Sequence, residues 1–522
     1  MIETGDRPAF FRRRRHAIVA TVFLAAAAVA IAGSGSAPHA DDTPRSLEDA
    51  ERVAAVTQPT TDFSKAEPFE TNSGGGATTN KPLNASVFSH PSGNMDFERQ
   101  LDFRVGDGIF RKLWISAPSS TTSSDGLGPL FNARSCQTCH LKDGRGSPPA
   151  MPDEAAVALF LRLSIPPQSE ADEAVLADFT QPSIPEPNYG GQLQPFSVAG
   201  IEAEGRMNVT YTELPVELAD GTIVTLRAPH YEAIDLNYGP MHQDVMISPR
   251  LAPPMIGMGL LETIPDYDIL AHADPDDSDG DGISGAANWL RNPEADLLML
   301  GRFGWKAGMP SVALQTAHAF AGDIGIASTL APVWAGDCTG TQSACREAPD
   351  GRDPDESTEV TNAMFDLVVF YARNLGVPAR RDVDDPQVLA GKQLFYDSGC
   401  IGCHVPKFVT ARAVELGGEP EQSFQLIFPY TDLLLHDMGE GLADHRPESA
   451  ASGREWRTAP LWGIGLAETV GGGRAHYLHD GRAETMLEAI LWHGGEADAA
   501  KQKVIAMTST EREALIAFLR SL

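Results

Sequence analysis

Two copies of Cys-x-x-Cys-His stand in this chain, at Cys136-Gln-Thr-Cys139-His140 and at Cys400-Ile-Gly-Cys403-His404. Two thiols at this spacing can each form a thioether to one vinyl group of a porphyrin, and the adjacent imidazole then reaches the iron as proximal ligand. The motifs therefore predict two covalent haem c groups. A Cys-x-x-Cys pair can also be half of a zinc site or a redox disulfide, but a zinc ribbon wants a second pair close by. Here the copies are far apart and both end in His. A second pattern, Asp277-Ser-Asp279-Gly-Asp281-Gly282, puts oxygen ligands at alternate positions and a glycine at the sixth, as calcium loops require for a sharp turn around a hard cation. Asn288 occupies the place of the usual bidentate Glu, which predicts modest affinity. The other reading of this loop is a solvated acidic turn. Cys338 and Cys345, in the loop GDCTGTQSACREAPDG, are expected to pair as a disulfide in an oxidising compartment.

These groups need a compartment and a scaffold. Arg12 to Arg15, the apolar run Ala17 to Ala32 and small residues at Ser36-Ala37 and His39-Ala40 have the layout of an export signal over residues 1–40. The run is short for a bilayer span of about 20 residues, so an uncleaved membrane anchor is the weaker alternative. Haem is attached to Cys-x-x-Cys-His outside the cytoplasm, which agrees with an exported, periplasmic location. Residues 41–85, with Ser73-Gly-Gly-Gly76 and no apolar periodicity, read as a flexible linker. A weak repeat follows: Gly106-x-x-x-Phe110 precedes the first motif and Gly391-Lys-Gln-Leu-Phe395 the second. The matching closing helices are Leu367-Val-Val-Phe370-Tyr371 and Leu515-Ile-Ala-Phe518-Leu519. These place an N-terminal unit at 86–376 and a C-terminal unit at 385–522, divided by a Pro-rich and charged segment. Arg206 to Tyr231 alternates around Ala219-Asp220-Gly221, which predicts a β-hairpin. The expected class is mainly α, with two cytochrome c-like haem domains, the first enlarged by insertions that include this hairpin.

The formal net charge of −31 argues against nucleic acid or an anionic membrane surface as partner. It suits a small basic donor protein, and equally an acidic surface that serves only solubility.

The C-terminal run Glu455-Trp-Arg-Thr-Ala-Pro-Leu-Trp-Gly-Ile-Gly465, followed by Tyr477-Leu-His-Asp-Gly-Arg-Ala-Glu-Thr-Met-Leu-Glu-Ala-Ile490, resembles the bacterial di-haem cytochrome c peroxidase superfamily, which includes the MauG-type enzymes. GDGIF, GLGPLFNARSCQTCHLKDGRG, GRFGWKAGMPSVALQTAHAFAGDIGI and LLLHDMGEGLAD are more closely similar to its di-haem oxidoreductase branch, sometimes labelled thiol oxidoreductases. The resemblance implies a peroxidase that takes electrons from a small cytochrome or cupredoxin. One haem would relay electrons and the other meet peroxide. The alternatives are a non-enzymatic electron carrier with both irons closed and a MauG-like oxidant of a partner protein.

By the same resemblance, the iron on His140 is the substrate-binding one and that on His404 the relay. His493, in Leu491-Trp-His-Gly-Gly495, stands where the superfamily takes the relay's sixth ligand, at a place where related peroxidases have Met and MauG-type enzymes Tyr. A His there lowers the reduction potential by stabilising ferric iron. His436 and Met438 are the rival ligands. Gln315 and Asp323 fall where peroxidases place their distal Gln and carboxylate, which move a proton between the peroxide oxygens. Both could equally be polar residues of a core helix. His242, Met255 and Met258 could instead approach the first iron from the far side.

Overall fold

Each glycine of the internal repeat lies where one helix crosses another. Gly106 sits on the buried face of the helix Arg99–Phe110, and a Cβ there would meet the Leu367 carbonyl oxygen at 2.3 Å. Gly391, in the helix Pro386–Asp397, faces the Ala514 carbonyl at 1.9 Å in the same way. Each glycine thus lets its helix approach the closing helix of its unit, Asn362–Arg373 and Ser509–Ser521 respectively. The helices start where local chemistry tells them to. Thr361 accepts a hydrogen bond from Met364 N, Asp385 accepts from Gln387 N and Val388 N ahead of Pro386, and Thr508 forms a capping box with Glu511. Both crossings carry aromatic rings toward the haem motifs. Phe110 lies 5.3 Å from Tyr371 and 6.4 Å from the His140 ring; Phe395 lies 5.2 Å from Phe518 and 6.1 Å from the His404 ring.

This computed structural model describes residues 45–121, 123–150, 154, 156–292 and 296–522. The export signal expected at residues 1–40 lies outside them. Among the described residues no helix is long and apolar enough to cross a membrane.

The mainly α expectation is overturned. Helix takes 30% of the chain and strand 17%. The strands form six two-stranded sheets among the described residues. The hairpin is where the alternating pattern puts it, Arg206–Glu217 paired with Ile223–Ile234 around Gly221 at φ +83°. The other sheets are short, and two of them join segments far apart in sequence. Leu159–Ser164, for example, pairs in antiparallel register with Met246–Leu251. Local periodicity carries no record of such a partner, so no strand was expected at these segments.

Two apolar cores hold the molecule, and each draws side chains from both sides of residues 376–385. The first joins Phe103, Phe320 and Val368 to Val405, Leu434 and Trp462; the second joins Leu226 and Trp305 to Phe395, Trp456 and Phe518. The hairpin belongs with the chain's last helices. Its turn places Asp220 2.5 Å from Arg512 and gives the Ala219 N–H to the Ile505 carbonyl, while Arg227 pairs with Glu484 and Tyr231 Oη donates to Asp480.

Residues 45–85, whose composition suggested a linker, are folded onto the rest. The helix Leu47–Thr57 is capped by Ser46, and Glu67 and Glu70 are buried against Lys392, Lys407 and Arg380. Lys392 Nζ reaches both carboxylates, at 2.6 and 2.7 Å. Glu70→Ala would leave Arg380 and Lys392 buried side by side with one carboxylate fewer, so it is expected to cost about 3–5 kcal/mol in urea unfolding of the haem-loaded protein. A loss below about 1 kcal/mol would show that this segment adds little to stability.

Candidate functional site

The first motif forms a single helical turn, Cys136–Cys139, steadied by a 2.7 Å hydrogen bond between the Ser135 and Thr138 hydroxyls. Neither thiol is in a disulfide. Burial pushes the Cys136 thiol up to about 12 and raises Cys139 as well, with the nearby Asp323 carboxylate adding to both. Such thiols are poor nucleophiles, which speaks against a redox dithiol. His140 is half-buried, and its Nδ1 lies 2.8 Å from the Pro253 carbonyl oxygen. Burial lowers its pKa to about 4. The ring is therefore neutral, with the proton on Nδ1 and the lone pair on Nε2, the form that binds iron.

The second motif repeats this arrangement. Cys400 and Cys403 are free, burial raises both thiols, and His404 Nδ1 lies 2.9 Å from the Tyr430 carbonyl oxygen. His404 too is held neutral by burial, near 4. It differs in its surroundings. His493, following the helix Met486–Leu491, is half-buried with Nδ1 2.8 Å from the Ala489 carbonyl, and it is close enough to depress the His404 pKa further. With Nδ1 so engaged, the lone pair of the neutral ring is on Nε2.

The rival ligands are occupied elsewhere. His436 Nε2 lies 2.8 Å from Asp432, and its Nδ1 lies 2.8 Å from Glu496 and 3.5 Å from Cys403 Sγ. Burial acts to lower its pKa, but these hydrogen bonds outweigh it and hold the group up at about 12. An imidazolium with both nitrogens engaged has no lone pair for iron. Met438 packs against the second core; Met255 is buried in the first, with Met258 at its edge. His242 turns to its own loop, where Nδ1 accepts from Asp244 N.

Asp323 and Gln315 separate. Asp323 is beside the first motif: its carbonyl accepts from Asn132 N and Ala133 N, and its Oδ1 accepts from Gln192 Nε2 at 2.9 Å. Gln192 Nε2 also meets Asn132 Oδ1 at 2.5 Å. Burial raises the Asp323 pKa. Gln315, on the helix Val312–Ala319, has its side-chain oxygen beside Gly304. Sequence reasoning missed Gln192, which nothing near the motif announces, and passed over Asn132, which lies within FNARSC. It also missed the aromatic row in which His479 stacks on Trp456 at 3.8 Å with Trp305 edge-on at 6.5 Å.

In the acidic loop, carboxylate oxygens of Asp274, Asp277 and Asp279 lie within 4.8 Å of one another. Asp281 instead accepts from Ile283 N, and Asn288 is buried, donating to the Lys306 and Glu448 carbonyls. Asp274 belongs to the same acidic run, DPDDSDGDG, and could have been found by extending the pattern upstream.

The sequence model of the family described as "di-haem oxidoreductase, putative peroxidase" matches residues 69–522. The chain belongs to this family. No curated protein matches it. A di-haem oxidoreductase needs two haem sites, and the donor sets fit: four unpaired thiols in two Cys-x-x-Cys turns, each followed by a neutral His whose Nε2 is free. The paired glycine crossings give this oxidoreductase two similarly built walls, one beside each motif's His.

Proposed function

We propose that this oxidoreductase is an exported c-type cytochrome with two covalent haems, which reduces peroxide using electrons from a small cytochrome or cupredoxin. One observation carries the reading. Among the described residues, His493, with no hydrogen bond on its Nε2, lies close enough to His404 to lower its pKa, and no histidine does so at His140. That asymmetry suits one iron with two strong axial ligands and one with a position left for substrate.

When bound, the haems supply electron storage and an iron at which peroxide is reduced to water. The chain's residues do the rest. Cys136, Cys139 and His140 hold one group; Cys400, Cys403, His404 and His493 hold the other. Asp323, with Oδ1 fixed by Gln192 and its pKa raised by burial, is suited to hold a proton on Oδ2 near the first motif and pass it to a peroxide oxygen. Gln315 is a weaker candidate for that task. The Cys338–Cys345 disulfide supports export to an oxidising compartment.

The half-reduced protein, supplied with calcium, is expected to show a high-spin ferric or otherwise open iron by electron paramagnetic resonance and to consume peroxide. Two closed low-spin irons and no peroxide consumption would make the protein an electron carrier instead. Oxidation of partner side chains in place of peroxide turnover would favour the MauG-like activity.

We further propose that Asp277 and Asp279, together with Asp274, bind calcium, while Asp281 stabilises the loop. Ser284 at the loop's end hydrogen-bonds Glu496, the residue that holds His436 against Cys403. Millimolar calcium should raise the melting temperature of the metal-stripped protein, and Asp279→Ala should abolish the increment. No increment in the unaltered protein would make this an acidic turn.

A further inference from the structure

Buried cations in this molecule are answered by carboxylates. Arg250 and Lys306 meet Asp444, Arg446 meets Glu448, Arg380 and Lys392 meet Glu70, and Arg482 meets Asp480. Arg145 and Arg457 are the exceptions of interest. Arg145, in the loop just after His140, donates to the Leu478 carbonyl at 2.8 Å and lies over the Trp305 ring at 5.3 Å. Arg457 is 9% exposed and donates only to carbonyls, Gly304 through Nε at 2.8 Å and Thr458 through NH1 at 3.0 Å. Among the described residues neither makes an ion pair within 4.0 Å. Burial lowers the pKa of both to about 10.

The two are also close enough that Arg145 depresses Arg457 further. Trp305 joins them, with Arg145 over its ring and the Arg457 N–H on its carbonyl. The nearest acid acting on Arg457, Asp432, is already committed to His436 Nε2 and Leu434 N. A buried Arg457 beside a half-buried Arg145, neither with an ion-pair partner, is costly, and two guanidinium groups are suited to grip a planar carboxylate. The place of Arg145 points to which carboxylate. Arg145 follows the first motif directly, and Arg457 reaches the same spot from the opposite half, on the strand Glu455–Arg457.

We propose that Arg145 and Arg457 together bind a propionate carboxylate of the haem attached at Cys136 and Cys139. The proposal rests on the di-haem reading, and a haem count tests that reading separately. A guanidinium beside a propionate favours the reduced iron, so its loss lowers the potential of that haem. In spectroelectrochemical titration of the full-length, haem-loaded protein, Arg145→Gln and Arg457→Gln should each retain two haems per chain. Both should lower the midpoint potential of the same single haem, and that haem should be the one remaining in a Cys400→Ala, Cys403→Ala background. Arg145→Lys and Arg457→Lys should recover most of the shift, which a purely structural role would not. Should Arg457→Gln fail to fold, Arg145→Gln, at a partly accessible position, decides alone. Unchanged potentials at full haem content would overturn the proposal, as would a shift confined to the other haem. A saturable response of the unaltered protein's potential to inorganic phosphate, lost in Arg145→Gln, would assign the pair to a free anion and overturn it as well.

Discussion

Replacement of Cys400 and Cys403 by alanine should leave one covalently bound haem per chain, measured by pyridine haemochrome and by haem staining of the denatured protein. The Cys136→Ala, Cys139→Ala pair should do the same. The reasoning rests on four free thiols held in two turns and on two histidines that each commit Nδ1 to a carbonyl. Nothing else in these sites asks for two thiols at this spacing. The effect is all or none for each group, because a thioether cannot form without its sulfur. A count of zero in protein matured with a competent attachment system would remove both covalent groups from the account. A count of two in either variant would mean that haem is held without those cysteines.

His493→Ala should convert the second haem from low to high spin and stop electron delivery, while peroxide still reacts at the first. His493 is half-buried, its ring is fixed by the Ala489 carbonyl, and it lies close enough to lower the His404 pKa. His436, the other histidine beside this motif, is a cation clasped by Asp432 and Glu496 and cannot substitute. Steady-state peroxide turnover should collapse, because electrons no longer reach the first iron through the relay. A low-spin signal that survives the substitution would show that another side chain closes this iron.

What the sequence made legible was local. The two Cys-x-x-Cys-His motifs and the Asp220-Gly221 turn are each written within a few residues, and the hairpin forms around that turn. The Cys338–Cys345 disulfide is of the same kind. What stayed hidden depends on distant partners. Glu67 and Glu70 sit in a Ser-, Thr- and Gly-rich stretch that looks like linker, and only Lys392, Lys407 and Arg380, remote in sequence, turn them into an anchor. Leu159–Ser164 becomes a strand because Met246–Leu251 lies beside it. The helical estimate failed for this reason: short strands paired over long separations leave no periodic trace. In the site, Asp323 could be named from sequence, but the Gln192 that orients it could not.

The hairpin Arg206–Glu217 and Ile223–Ile234 has a consequence for timing. Its turn is fastened by Arg512, and its strands by Asp480 and Glu484, all near the very end of the chain. A polypeptide emerging from its N-terminus exposes Cys136 and Cys139 long before those anchors have been made. The hairpin can therefore be fastened only once the last helix has been made, so this part of the fold closes late in synthesis.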